Sequence, residues 1–183
     1  MSLPALARIT RLGLVNAYLV ADDEAFTVVD TGLSGTHKAI INRAQELGAP
    51  IRRVVLTHAH VDHVGGLDAL VAAVPGIEVI ISARDARLLA KDMTPEPGEP
   101  RDKLRGGYPG AATTPTRTVA HGDRIGALEV IAAPGHTPGH IALLDTRDRT
   151  LLCGDAYSTL GGVATSARTN WRFPLVAMAT WSP

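Results

Sequence analysis

The 183-residue chain is short of cysteine, of net charge and of long apolar runs, and each shortage removes a class of answers. Its single cysteine, Cys153, excludes an internal disulfide and a disulfide-stapled scaffold. Flanked by Leu151 and Leu152, it reads as a buried thiol in a reducing compartment. Eighteen basic residues balance eighteen acidic ones, so no net field draws in nucleic acid or an anionic membrane. No apolar run approaches the roughly 18 residues of a membrane span, and the N-terminus lacks the basic and apolar regions of a signal peptide. The expectation is a cytoplasmic protein folded as one domain over 1–183, with 45% hydrophobic residues to build its core.

Short apolar runs between turn residues place strands at 7–12, 15–20 and 25–29, a meander broken by Gly13 and by Asp22, Asp23 and Glu24. The spacing of Ala39, Ile40, Ala44 and Leu47 predicts an amphipathic helix over 34–47, stopped by Gly48. Further strands are expected at 53–56, 78–81, 127–132, 141–144 and 150–153, with helices at 67–74 and 83–91. This alternation puts helices on the faces of a sheet. Residues 92–118, with five prolines and four glycines, read as a long loop, either a cover for a substrate or a plain surface excursion.

Imidazole is concentrated at one place. Three of the seven histidines, His58, His60 and His63, fall within six positions together with Asp62, directly after the apolar run Val54, Val55 and Leu56. Residues two apart in an extended segment point the same way, so His58 and His60 can reach one cation. Asp62 and His63, where the loop turns into a helix, can hold a second. A structural zinc site would draw on cysteine, which is nearly absent. Gly65 and Gly66 let the backbone approach the site. Two more candidate ligands sit at strand ends: His136 in a Pro/Gly-rich turn, and Asp155 after the apolar residues 151–153. Asp30, at the tip of the third strand, is either a turn residue or the orienting partner of a metal-bound histidine. Trp171, Arg172 and Phe173 line a pocket or pack in the core.

Taken in order, VVDTG at 28–32, THAHVDHVGG at 57–66, PGHTPGH at 134–140 and LLCGDA at 151–156 resemble the metallo-β-lactamase-fold superfamily, from about residue 10 to the end. The resemblance implies an α+β fold, a four-layered αββα sandwich with a metal centre at one edge between two sheets. It implies that His58, His60 and His136 bind one divalent ion and Asp62 and His63 a second, with Asp155 bridging and Asp30 behind them. Zinc is expected in both sites, with iron or manganese as alternatives. Asp62, orienting the nucleophile, is the expected catalytic residue. His37 and His121 match no ligand position and are assigned to the surface; His140 is given a structural hydrogen-bonding role.

The signatures are most similar to the glyoxalase II and lactonase branches. They imply a hydrolase that directs a metal-bound hydroxide at the carbonyl of a small ester, thioester, lactone or lactam, without nucleic acid or membrane partners. One departure stands out. Family members supply a further histidine to the second metal from a late loop, and none follows His140 here. Trp181, Ser182 and Pro183 read as a helix start. The expectation is that the last helix and strand of the fold are absent and that the second site is incomplete. Two other readings stand beside the hydrolase: an iron-dependent persulfide dioxygenase-like oxidoreductase, and a catalytically impaired metal-binding member. Di-iron flavoproteins of this scaffold typically carry Glu where His60 stands, which argues against them.

Overall fold

The computed structural model describes residues 3–159, 162–165 and 178–182, so Trp171, Arg172, Phe173 and Pro183 lie outside the described residues. The first three apolar runs pair as the expected antiparallel meander: β1 (Leu6–Arg11), β2 (Val15–Asp22) and β3 (Ala25–Val29). Helix α1 (Thr36–Leu47) then returns the chain to β4 (Ile51–Val55), which lies parallel to β3. After α2 (Val61–Val64) and α3 (Leu67–Ala73) comes β5 (Glu78–Ser82), and after α4 (Ala83–Leu89) comes β6 (Arg117–Val119), both parallel additions. The result is a six-stranded sheet in chain order, antiparallel in its first half and parallel in its second. A second, antiparallel sheet has the order β10-β9-β8-β7, from β7 (Arg124–Ile125), β8 (Leu128–Ala132), β9 (Ile141–Asp145) and β10 (Leu151–Leu152). A 3₁₀ turn (Gly154–Ala156) and the short pair β11 (Tyr157–Ser158) and β12 (Ala164–Thr165) follow.

Period-two alternation sorts the core into two layers. Leu19, Val28, Val54, Val79 and Ile81 face Ile40, Leu67, Leu70 and Leu88 of the helices. Their neighbours Val20, Val29, Val55 and Ile80 face the other way and meet Leu128, Val130, Ile141 and Leu143 of the second sheet. All of these side chains are essentially fully buried, each stabilising the fold by about 1.5–3 kcal/mol before entropy is counted. The second cluster holds strand residues only. Helices, six-stranded sheet and four-stranded sheet are thus three stacked layers of an α+β fold among the described residues. No helix among them is long and apolar enough to cross a membrane.

Most elements lie within two residues of their expected bounds. Strand β6 lies at the end of the stretch read as a loop because Arg117 and Thr118 are exposed and only Val119 is buried. Its pairing is imposed by the neighbouring β5 and not by its own pattern. The rest of that stretch is an ordered covering. Leu104, Tyr108 and Ala111 pack against the helix-side core, and Glu99 pairs with the buried Arg84 at 2.6 Å. Trp181 and Ser182 lie against the 134–140 turn: their backbone N–H groups donate to His136 O (3.0 Å) and Gly135 O (2.9 Å). The buried Trp181 indole donates to Asp102 O at 3.0 Å.

The fold brings the polar strand tips to one edge. Asp30 follows β3 and Thr57 to His63 follow β4, both at the C-terminal ends of parallel strands, where α/β sheets collect their sites. The second sheet is joined there by the Ile141 N–H, which donates to Thr57 O at 3.0 Å.

Candidate metal centre

At the tip of β3, Asp30 adopts a left-handed conformation (φ 59°), which Asp tolerates better than most residues and which turns its carboxylate inward. That carboxylate accepts from Thr57 N (2.8 Å) and Thr57 Oγ1 (2.8 Å) and pairs with His63 Nδ1 (2.8 Å). A carboxylate oxygen only accepts, so the Thr57 hydroxyl spends its proton on Asp30 and must receive one from His58 Nδ1, 3.0 Å away. The tautomer follows: Nδ1 of His58 carries the hydrogen and Nε2 carries the lone pair. Nε2 of His58 is fully buried and has no hydrogen-bond partner among the described residues.

A similar argument applies to His60. Its Nε2 lies 2.9 Å from Arg105 O, and a carbonyl cannot donate, so Nε2–H is the donor and Nδ1 is the lone pair. That Nδ1 faces His136 Nε2 at 2.9 Å, while His136 Nδ1 is held by Thr180 Oγ1 at 3.1 Å. His58, His60 and His136 therefore converge their ligand atoms within 4.8 Å of one another, as do His58, His63 and Asp155. Each trio could hold a metal ion, and His58 belongs to both. Asp155 reaches across them: Oδ1 lies 3.3 Å from His63 Nε2 and Oδ2 lies 3.4 Å from His136 Nε2. Asp62 stands apart, in neither trio, 38% exposed and 3.8 Å from His63 Nε2.

An orphaned buried imidazole nitrogen beside two others aimed at the same point fits a cation, since buried acceptors without a partner cost about 1–3 kcal/mol. Burial pushes His58 and His60 below the ordinary imidazole value and takes His136 to about 4, which keeps these rings neutral and able to ligate. His63 goes the other way. Against burial, which pulls it down, the carboxylates of Asp30 and Asp155 raise it well above the ordinary value. Burial would raise Asp155, but His63 beside it holds that carboxyl well below the usual range.

The structure places the other residues as follows. His140, driven by burial to about 3, accepts from Asp155 N at 3.0 Å, the structural role expected of it. His121 is exposed; His37 is half-buried on α1, and neither joins the cluster. Cys153, expected to be buried, is only half-buried and lines the cavity, because the chain turns outward into the 3₁₀ turn directly after it. Gly66 meets its expected purpose: a Cβ there would lie 2.5 Å from Thr31 O. The parts played by Thr57, Arg105 and Thr180 in holding the histidines were not read from the sequence. Thr57 opens the histidine motif and could have been noticed. Arg105 acts through a backbone carbonyl, which every residue type shares.

The four depressed histidines set a pH dependence. A histidine whose folded value is lowered is protonated first in the unfolded chain, so its contribution to stability is present above about 6.5 and is lost as pH falls. Metal-stripped protein is expected to lose stability as pH falls from about 6.5 toward 4, by up to ~1.4 kcal/mol per pH unit for each histidine whose folded value still lies below the pH, offset in part by the buried Asp85, whose carboxyl is raised to about 6. Urea midpoints across that range measure it; a flat profile would contradict a cluster of neutral imidazoles.

Comparison with known proteins agrees with this geometry. The model of the Metallo-beta-lactamase superfamily matches residues 10–172. The chain is 44% identical over 169 residues to the uncharacterized protein YobT of Bacillus subtilis (strain 168), covering 92% of this chain and 72% of that one. It is 36% identical over 141 residues to a hydroxyacylglutathione hydrolase of Rhodospirillum rubrum, covering 75% of this chain and 44% of that one. Among solved structures, a mutant of the metallo-beta-lactamase from Cronobacter sakazakii matches with a TM-score of 0.63 at 25% identity, over 81% of this chain and 60% of that one. The matched region is thus less than two thirds of either of these last two proteins. With the superfamily model matching residues 10–172 and a relative 44% identical over nearly the whole chain, this protein belongs to the metallo-beta-lactamase superfamily.

Proposed function

We propose that the chain is a single-domain, metal-dependent hydrolase of a small ester, thioester, lactone or lactam, working in the cytoplasm without nucleic acid or membrane partners. The observation that carries this reading is Nε2 of His58, a fully buried lone pair with no partner among the described residues, inside a ring of histidines and a carboxylate. His58, His60 and His136 would hold one divalent ion; His63 and Asp62 would hold the second, with Asp155 in reach of both. Zinc is the expected metal at these nitrogen and oxygen ligands, ahead of iron or manganese. When bound, such ions supply Lewis acidity and bring the pKa of water toward ~7.

The chain's own residues do the positioning. Asp30 holds the His63 ring from behind, the Arg105 carbonyl holds His60, and Thr57 holds His58. Asp62, at the edge of the cavity, would accept a proton from an entering water and orient it. That cavity, about 980 Å³ with Arg8, Asn16 and Tyr18 on its wall, has the size of a small-molecule site. The hydroxyacylglutathione hydrolases and probable metallo-hydrolases among the relatives support hydrolysis as the reaction.

Elemental analysis of purified protein is expected to find two divalent ions per chain, zinc foremost. A chelator should abolish cleavage of chromogenic thioesters and lactones, and added zinc should restore it. A single iron with oxygen-dependent turnover would replace the hydrolase by the persulfide dioxygenase-like reading. Turnover retained by metal-free protein would remove the metal from the mechanism.

A further inference from the structure

The candidate ligands come from two loops far apart in sequence, 57–63 and 134–140, and one carboxylate outside both touches each of them. Asp85 lies in the first turn of α4, fully buried, with its backbone N–H donating to the N-cap Ser82 Oγ at 3.2 Å. Its Oδ2 accepts from Ala59 N at 2.8 Å and from Thr137 Oγ1 at 2.9 Å; its Oδ1 accepts from Gly139 N at 2.9 Å. Ala59 stands between His58 and His60. Thr137 follows His136, and Gly139 precedes His140. The approach at Gly139 is so close that a Cβ there would lie 2.6 Å from Asp85 Oδ1.

We infer that Asp85 is a positioning residue of the metal centre, a buried carboxylate that ties the backbone of the His58/His60 loop to the His136 loop and so sets the spacing of the first metal's ligands. The inference rests on the reading of His58, His60 and His136 as a metal site. A buried carboxylate needs compensation, and the adjacent cation does not supply it by contact: the Arg84 guanidinium bonds to Glu99 instead. The donors that satisfy Asp85 are those of the ligand loops and are worth most when both loops are in place. An amide of the same shape would set an NH₂ group against one of those donors and loosen one loop. A role confined to holding α4 in the fold would show in stability alone.

The test compares wild-type, Asp85→Asn and Thr137→Val proteins, each metal-stripped and titrated with Co(II) and, against a chelator, with zinc, well below the melting temperature. Glu99→Gln, which weakens the neighbouring Arg84 ion pair, serves as the control for stability. Asp85→Asn is expected to weaken metal binding about 10–100-fold and to alter the Co(II) visible spectrum. Thr137→Val, which removes one bond of three, is expected to weaken binding less. Glu99→Gln is expected to lower the melting temperature with affinity and spectrum unchanged. Wild-type affinity and spectrum in Asp85→Asn would overturn the inference while leaving the metal reading intact. Should Asp85→Asn fail to fold, wild-type affinity in Thr137→Val would overturn it equally. Wild-type protein that takes up neither metal overturns both readings together.

Discussion

His58→Ala is expected to fold, to bind at most one metal ion weakly, and to lose turnover by on the order of 10³-fold or more, about 4 kcal/mol of transition-state stabilisation. Its effect should be large because His58 Nε2 is, among the described residues, the buried nitrogen common to both trios of converging donors, and its one lone pair is the ligand proposed for the first ion. The fold should survive for a related reason. In the metal-free protein, Nε2 of His58 is already a buried acceptor without a partner, a cost of about 1–3 kcal/mol that alanine removes. This offsets much of the cavity left by the ring, typically about 2–5 kcal/mol for a large-to-alanine change. Metal content, melting temperature and turnover together check the prediction. Turnover within tenfold of the parent, with the fold intact, would refute the site. Asp62→Ala should behave differently: its carboxylate lies outside both trios, so turnover should fall while the first metal is retained.

Asp30→Ala is expected to destabilise the metal-stripped protein by about 3–5 kcal/mol, the cost of breaking a buried pair and leaving its partner uncompensated. Asp30 is 3% exposed, and its loss strands Thr57 N, Thr57 Oγ1 and His63 Nδ1 at once. The sign of the pH dependence can be worked out. His63, raised in the folded state by Asp30 and Asp155 against its burial, contributes stability that is full below about 6.5 and is lost as pH rises through the raised folded value. Without Asp30 much of that contribution is missing, so the gap between parent and variant should be widest near pH 6 and narrow toward pH 9. Urea unfolding at both values measures it. A gap that widens with pH would show that Asp30 does not hold a charged His63.

Where sequence reading fell short, the missing information was of one kind. The 92–118 stretch could be read as a loop or a substrate cover but not as a support of the histidines, because it acts through the carbonyls of Arg105, bonded to His60, and Gly107, bonded to the Val61 N–H. Asp85 looked like one polar residue in a helix. Its composition, spacing and neighbours are those of an ordinary first-turn acid, and only the burial of that turn under two loops gives it partners. Strand β6 has no alternation of its own to betray it. Such features carry no side-chain signature.

By itself the sequence determined most of the strand and helix pattern, the placing of helices on the faces of a sheet, and the candidate donors: His58, His60, Asp62 and His63 in one motif, His136 and Asp155 at two strand ends. These are local properties, written in the period of apolar residues and in residue types a few positions apart. The tertiary structure alone decided that His60 and His136, 76 positions apart, face each other at 2.9 Å, which nitrogen of His58 and of His60 carries the lone pair, and that Asp62 stays at the rim while Asp155 enters the cluster. The reason is physical. A ligand's identity is chemical, but its tautomer and direction are set by whichever carbonyl, hydroxyl or carboxylate packs behind it, and long-range packing brings that partner there.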